Sequence, residues 1–278
     1  MTPHPYAADS IATSNPASPW LRTLLNKVPE VTVLFWIVKI LSTTVGETAA
    51  DYLNDNLGLG LPATTAIMSL LFVAVLVWQL TTTRYIPGIY WLTVVLVSVV
   101  GTLFSDNLVD NLGVSLYTST AVFAVALAVA FAAWYRSEGT LSIHTIVTRK
   151  REAYYWATIL FTFALGTSAG DLLSEKLALG YVAAALIFGG VIAAITVAHY
   201  GLKVNAVLAF WAAYVMTRPF GASIGDLLTA TRKDGGLNLG TNGTSALFLL
   251  AIIGIVTWFT VQARRSDARG ARDLIGNR

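Results

Sequence analysis

The chain has no cysteine in 278 residues, which excludes a disulfide framework, a catalytic thiol and a thiolate metal site. Histidine and methionine occur three times each, and His4, His144 and His199 form no pair at ligand spacing. Copper and zinc are therefore left without their usual ligands. Charged residues make up only 12% of the chain, against about 25% in a soluble domain. There is no Ser–His, HExxH or phosphate-loop pattern. The expectation is a protein that is not an enzyme, holds no cofactor and binds no nucleic acid.

What the chain does have is apolar length. It is 55% hydrophobic, in runs long enough to cross a bilayer, which takes roughly 20 apolar residues. These runs repeat. Trp36, Trp91, Trp156 and Trp211 are each followed after ten residues by a glycine (Gly46, Gly101, Gly166, Gly221). After fifteen residues each is followed by an aspartate (Asp51, Asp106, Asp171, Asp226). No gap is needed to align the columns, and such self-similarity decides the fold before any other feature. The closing phrases are LGLG, LGVS, LALG and LNLG, the last delayed by a five-residue insertion.

The predicted fold is all-α: eight transmembrane helices at 30–54, 62–83, 87–109, 116–135, 152–174, 179–199, 203–228 and 243–263. Each repeat is then a pair of helices. Four pairs inserted the same way are parallel repeats about an axis along the membrane normal. The expected domains are a disordered tail (1–28), membrane half one (29–135), a basic linker (136–151), membrane half two (152–263) and a basic tail (264–278). Outside the helices, Lys and Arg cluster at the termini and in alternate loops. The opposite loops hold only Lys176, Arg232 and Lys233. That asymmetry predicts a bacterial inner-membrane protein with both termini in the cytoplasm. The repeat tryptophans, with Trp78, Trp134 and Trp258, are expected to form an interfacial belt.

Counting from each tryptophan, positions +3, +7, +11 and +15 share one helix face. The first repeat places Lys39, Thr43, Glu47 and Asp51 there, and the fourth places Tyr214, Arg218, Ala222 and Asp226. Thr102 and Thr167 hold +11 in the second and third. Ionisable groups in hydrocarbon are expensive, at least ~2.5–3.5 kcal/mol each on insertion scales, so the stripe should face the bundle interior. At about 1.5 Å rise per residue, Glu47 lies near the midplane and the four aspartates nearer the outer face. Asp55, Asp110, Glu175 and Asp234 beyond them would make the outer mouth acidic or be solvated loop charges. Glu47 and Arg218, the two charges that break the repeat symmetry, differ by one helical turn and are expected to pair.

A second column pairs small residues four apart: Gly46 with Ala50, Gly101 with Ser105, Gly166 with Gly170 and Gly221 with Gly225. Small-xxx-small spacing lets membrane helices approach closely, so the odd-numbered helices are expected to form a tight inner bundle. Pro219 is expected to kink or interrupt the seventh helix.

The phrase NKVPEVTVLFWIVKILSTTVGETAADYL at 26–53, with its four-fold tryptophan–aspartate register, resembles a bacterial family of uncharacterised membrane-anchored proteins. That family is built from a two-helix repeat of unknown function occurring four times. The resemblance implies eight helices and no activity. The residues themselves favour a transporter or channel for a cation, such as a hard metal ion or a proton-coupled one, with the repeat aspartates and Glu47 as ligands; which metal, if any, is left open. The alternatives are a carrier of a small organic solute recognised by Lys39 and Arg218, and a scaffold or sensor that transports nothing.

Overall fold

A computed structural model describes residues 26–56 and 60–276, with side chains described throughout except at 54–56, 234 and 263–276. Eight long helices carry the fold: α1 (Val33–Asn56), α2 (Gly60–Thr81), α3 (Pro87–Asp106), α4 (Leu116–Glu138), α5 (Arg149–Asp171), α6 (Gly180–Leu202), α7 (Ala206–Thr229) and α8 (Thr241–Gly276). Their starts are written locally. Ser115, Thr148 and Asn205 cap α4, α5 and α7 with side-chain oxygens that accept from the first-turn amides. Pro87 opens α3, and Gly139, at φ 69°, closes α4.

Seven of these helices are long and apolar enough to cross a membrane. The exception is α7, whose apolar run is broken by Arg218 and Asp226. It is enclosed by α1, α5 and α6, so its polar face meets protein rather than lipid. The chain is an all-α, multi-pass membrane protein.

The odd helices form a closed ring in which α1 packs on α3, α3 on α5, α5 on α7 and α7 on α1. Each even helix packs chiefly against the odd helix of the next repeat: α2 on α3, α4 on α5, α6 on α7 and α8 back on α1. Burial separates the two shells. More than half of the most apolar stretch of α1, α3 and α5 is buried, but only 11–17% of that in the even helices. The repeat tryptophans gather at one end of the ring and the repeat aspartates at the other, so the four odd helices run parallel.

The glycine column explains why the ring closes. A β-carbon at Gly46 would collide with Ser98, one at Gly101 with Phe163, one at Gly166 with Arg218 and one at Gly221 with Thr43. Those four partners are the +7 residues of the next repeat in turn, so one contact recurs at every odd–odd interface. The +14 column is looser. A β-carbon at Gly225 would lie 3.3 Å from Thr44, and one at Gly170 would lie 3.7 Å from Pro219, an ordinary contact.

Four expectations need correction. Residues 1–25 lie outside the described residues, but Lys27 and Val28, placed above in a disordered tail, are buried. Lys27 Nζ pairs with Glu152 Oε2 at 2.7 Å, and its amide donates to Ile146 O. The linker is shorter than 136–151 because α4 runs on to Glu138 and α5 begins at Arg149. The basic tail after 264 continues α8 to Gly276. Finally, the interruption expected at Pro219 is not found, since α7 runs through that residue as one helix.

The tryptophan belt divides. Trp78 and Trp258 are exposed as expected. Trp91, Trp134, Trp156 and Trp211 are instead buried in an aromatic layer that closes the tryptophan end of the ring. The residue before each repeat tryptophan is also aromatic: Phe35, Tyr90, Tyr155 and Phe210. Tyr90 and Tyr155 share a hydrogen bond of 2.5 Å between their hydroxyls.

Candidate functional site: an acidic cavity above a buried ion pair

The aspartate end of the ring is hollow. A cavity of about 430 Å³ is lined by Asp51, Asp106, Asp171 and Asp226, one from each repeat, and by Glu47. Asp110 and Glu175 also line it. Both sit on single π-helical turns, Asn107–Asn111 and Leu172–Lys176, that extend α3 and α5 at the same register. Such turns are uncommon in helices and frequent at functional sites. Nothing in the composition of NLVDN or LLSEK announces them. Asp110 and Glu175 thus line the cavity while remaining exposed, so they are solvated charges at its mouth, and the side chains of Asp55 and Asp234 lie outside the described residues. Among the described residues, no three acidic or histidine groups converge closely enough to hold one metal ion. The acids share a space without sharing a point.

Glu47 forms the floor, and beneath it lies the predicted pair. Arg218 Nη2 is 2.5 Å from Glu47 Oε2, with both side chains buried. The same nitrogen donates to Thr167 Oγ1 at 2.6 Å and to Thr102 Oγ1. Thr102 in turn donates to Glu47 Oε2 at 3.1 Å. Position +11 is thus Glu47, Thr102 and Thr167 on three helices. The fourth has Ala222, and Arg218 reaches up one turn to occupy the level that Ala222 leaves empty of polar atoms. Gly166 makes room for it, since a β-carbon there would overlap the Arg218 stem.

Below the floor the axis is solid. Position +7 holds Thr43, Ser98 and Phe163, and position +3 holds Lys39, Val94, Ile159 and Tyr214, all buried. Lys39 Nζ donates to Thr43 Oγ1 at 3.2 Å and lies 4.2 Å from the Phe163 ring centroid and 4.4 Å from that of Tyr214. The proposed ion-binding residues therefore occupy three places. Glu47 and the four aspartates meet in the cavity, and Arg218, Thr102 and Thr167 brace its floor. Lys39 and Thr43 lie beneath it, away from the space.

A family model described as "Repeat of Unknown Function (DUF347)" matches four segments: 34–85, 89–140, 154–205 and 209–265. Each match begins two residues before a repeat tryptophan, in the register read from the sequence. The chain belongs to this repeat family. Comparison with curated proteins and with solved structures finds no match. Within the repeat, the tryptophan, glycine and aspartate columns recur in all four copies. Glu47, Arg218 and Lys39 each stand in a single copy. The repeat thus builds the ring and the cavity, and the symmetry-breaking charges build the floor.

Proposed function

We propose that this repeat protein is a membrane transporter for a cation, loaded from the acidic cavity and gated by the Glu47–Arg218 pair. The observation that carries the reading is the convergence of seven acids from the four repeats on one cavity whose floor is a buried ion pair. A low-dielectric cleft lined by one sign of charge concentrates the opposite ion. The acids do not converge on a point, and the cavity is far larger than a bare ion, since a water takes about 30 Å³. Both features favour a cation held with part of its hydration, or an organic ammonium, over a tightly caged metal.

In this mechanism the cation passes Asp110 and Glu175, is held among the four repeat aspartates and competes with Arg218 for Glu47. Thr102 and Thr167 make that exchange affordable. A hydroxyl can accept as well as donate, so the guanidinium keeps two neutral partners when the carboxylate turns to the cation. Lys39 and the packed aromatic layers below oppose onward passage, so transport requires the ring to rearrange rather than a standing pore. The distribution of Lys and Arg supports a cavity mouth on the non-cytoplasmic side.

The test is uptake into proteoliposomes from a panel of Na⁺, Mg²⁺, Mn²⁺, Ca²⁺ and a diammonium ion. Wild type should accumulate at least one of them, and Asp106→Asn and Asp171→Asn should abolish that uptake while keeping wild-type melting. No uptake of any panel member, or full uptake by both variants, would remove the proposal and favour a scaffold.

A further inference from the structure

At the tryptophan end, an apolar groove of about 530 Å³ runs between α1 and α6 over the outer face of α7. The fourth repeat makes it. Counting from the repeat tryptophan, positions −5, −2 and +2 of α7 are Ala206, Ala209 and Ala213, and all three line the groove. Spacings of three and four put them on one helix face. The other repeats are bulkier at the same positions, with Leu34, Ile89 and Tyr154 at −2 and, in the first two, Val31 and Ile86 at −5. Ala209 and Arg218 are about two and a half turns apart, so the groove and the acidic cavity lie on opposite sides of α7.

One wall of the groove is α6, a membrane-spanning helix whose most apolar stretch is only 11% buried. Val33 and Tyr200 on the rim are 76% and 79% exposed, so the groove is continuous with the surface that meets lipid. From Ala206 to Thr217 it follows α7 for about 16 Å, the depth of one leaflet of a hydrocarbon core about 30 Å thick. Its polar groups gather at the loop end: Ser142 and His144 from the α4–α5 linker and His199 near the end of α6. His199 Nδ1 donates to Val204 O at 2.9 Å, which leaves Nε2 for a ligand. Lys203 is exposed in the α6–α7 turn, between the lining residues Tyr200 and Ala206, and brings a positive charge to that end. Thr196 and Thr217 also line the groove, but their hydroxyls donate to carbonyls of their own helices. Apolar walls with a few polar groups, at a volume within about 300–1,000 Å³, are the features of a small-molecule site. We propose that the groove binds one phospholipid from the leaflet on the tryptophan side, with an acyl chain along α7 and the phosphate beside His199 and Lys203. The inner end meets Ile40 and Thr217, at the seam between α1 and α7 that joins the last repeat to the first. The chain therefore gives dispersion contacts to both helices that close the ring. The site does not depend on cation uptake, because it lies outside the ring.

The experiment is native mass spectrometry of the purified full chain in detergent, titrated with dioleoylphosphatidylglycerol. The wild type should retain one lipid per chain in a saturable manner. Ala209→Leu and Ala206→Ile install the side chains that the first and second repeats carry at those positions, and each should abolish retention by filling the groove. Ala206 is exposed, so its variant decides the matter if Ala209→Leu does not fold. Lys203→Gln should need several-fold more lipid for the same occupancy. A wild type that retains no lipid, or undiminished retention in any of the folded variants, would overturn the site. So would a wild-type dimer that Ala209→Leu or Ala206→Ile dissociates, since the groove would then hold a second copy of the chain.

Discussion

At the scale of single residues, the Glu47–Arg218 pair is the place where sequence and structure meet most directly. Both residues break a repeat, and their one-turn offset along the ring axis matches the reach of an arginine. Truncating one partner of a buried pair leaves the other charge alone and costs ~3–5 kcal/mol. Glu47→Gln and Arg218→Gln should each lose stability on that scale. The double variant should lose much less than the sum, because it leaves no orphan charge. Equilibrium unfolding of the four proteins checks this, and strict additivity would mean that the pair is not coupled. The partners Thr102 and Thr167 were legible as members of the +11 row. The aromatic setting of Lys39 was not, because Phe163 comes from +7 of another repeat and nothing local marks it as a neighbour. The buried tryptophans were misread for a related reason. A tryptophan near a helix end reads the same whether its helix faces lipid or a ring interior, and only the assembly decides.

At the scale of elements, the ring interfaces rest on one glycine contact repeated four times. Gly101→Ala puts a methyl group 2.5 Å from Phe163 Cβ, and Gly221→Ala puts one 2.7 Å from Thr43 Cγ2. Overpacking of this kind costs about 1–3 kcal/mol. Gly170→Ala meets nothing closer than 3.7 Å, and Gly190→Ala meets nothing within 4 Å. At those two the helix gains the ~0.5–1 kcal/mol by which alanine is favoured over glycine. Melting in detergent should therefore split the four variants, the first two below wild type and the last two at or above it. The reverse order would show that the +10 column is not the seam. The seam was legible because a small-residue pair recurs in register with an aspartate. The π-turns carrying Asp110 and Glu175 were not, since an extra residue per turn has no side-chain signature. Nor was the even-helix packing. Hydropathy says that α2 faces lipid but not that its inner side lies on α3 rather than α1.

At the scale of the whole molecule, four parallel repeats yield a ring that is hollow at one end and closed by aromatics at the other. The parallel arrangement was legible from the even number of spans per repeat, and the charge of the loops supplies the orientation proposed for it. Single cysteines at Gly113 and Gly180, on the cavity side, should react with an impermeant thiol reagent added outside cells, and ones at Thr140 and Gly201 should not. Labelling of the second pair alone would invert the molecule in its membrane. The central claim, that the hollow end attracts cations, can be measured without knowing the substrate, because the chain has no cysteine of its own. Thr229 lines the cavity and is half-buried. A lone Thr229→Cys should react faster with a positively charged methanethiosulfonate reagent than with a negatively charged one of similar size. That preference should shrink as Asp51, Asp106, Asp171 and Asp226 are replaced in turn by asparagine. Equal rates with the two reagents, or faster reaction with the anionic one, would contradict the account.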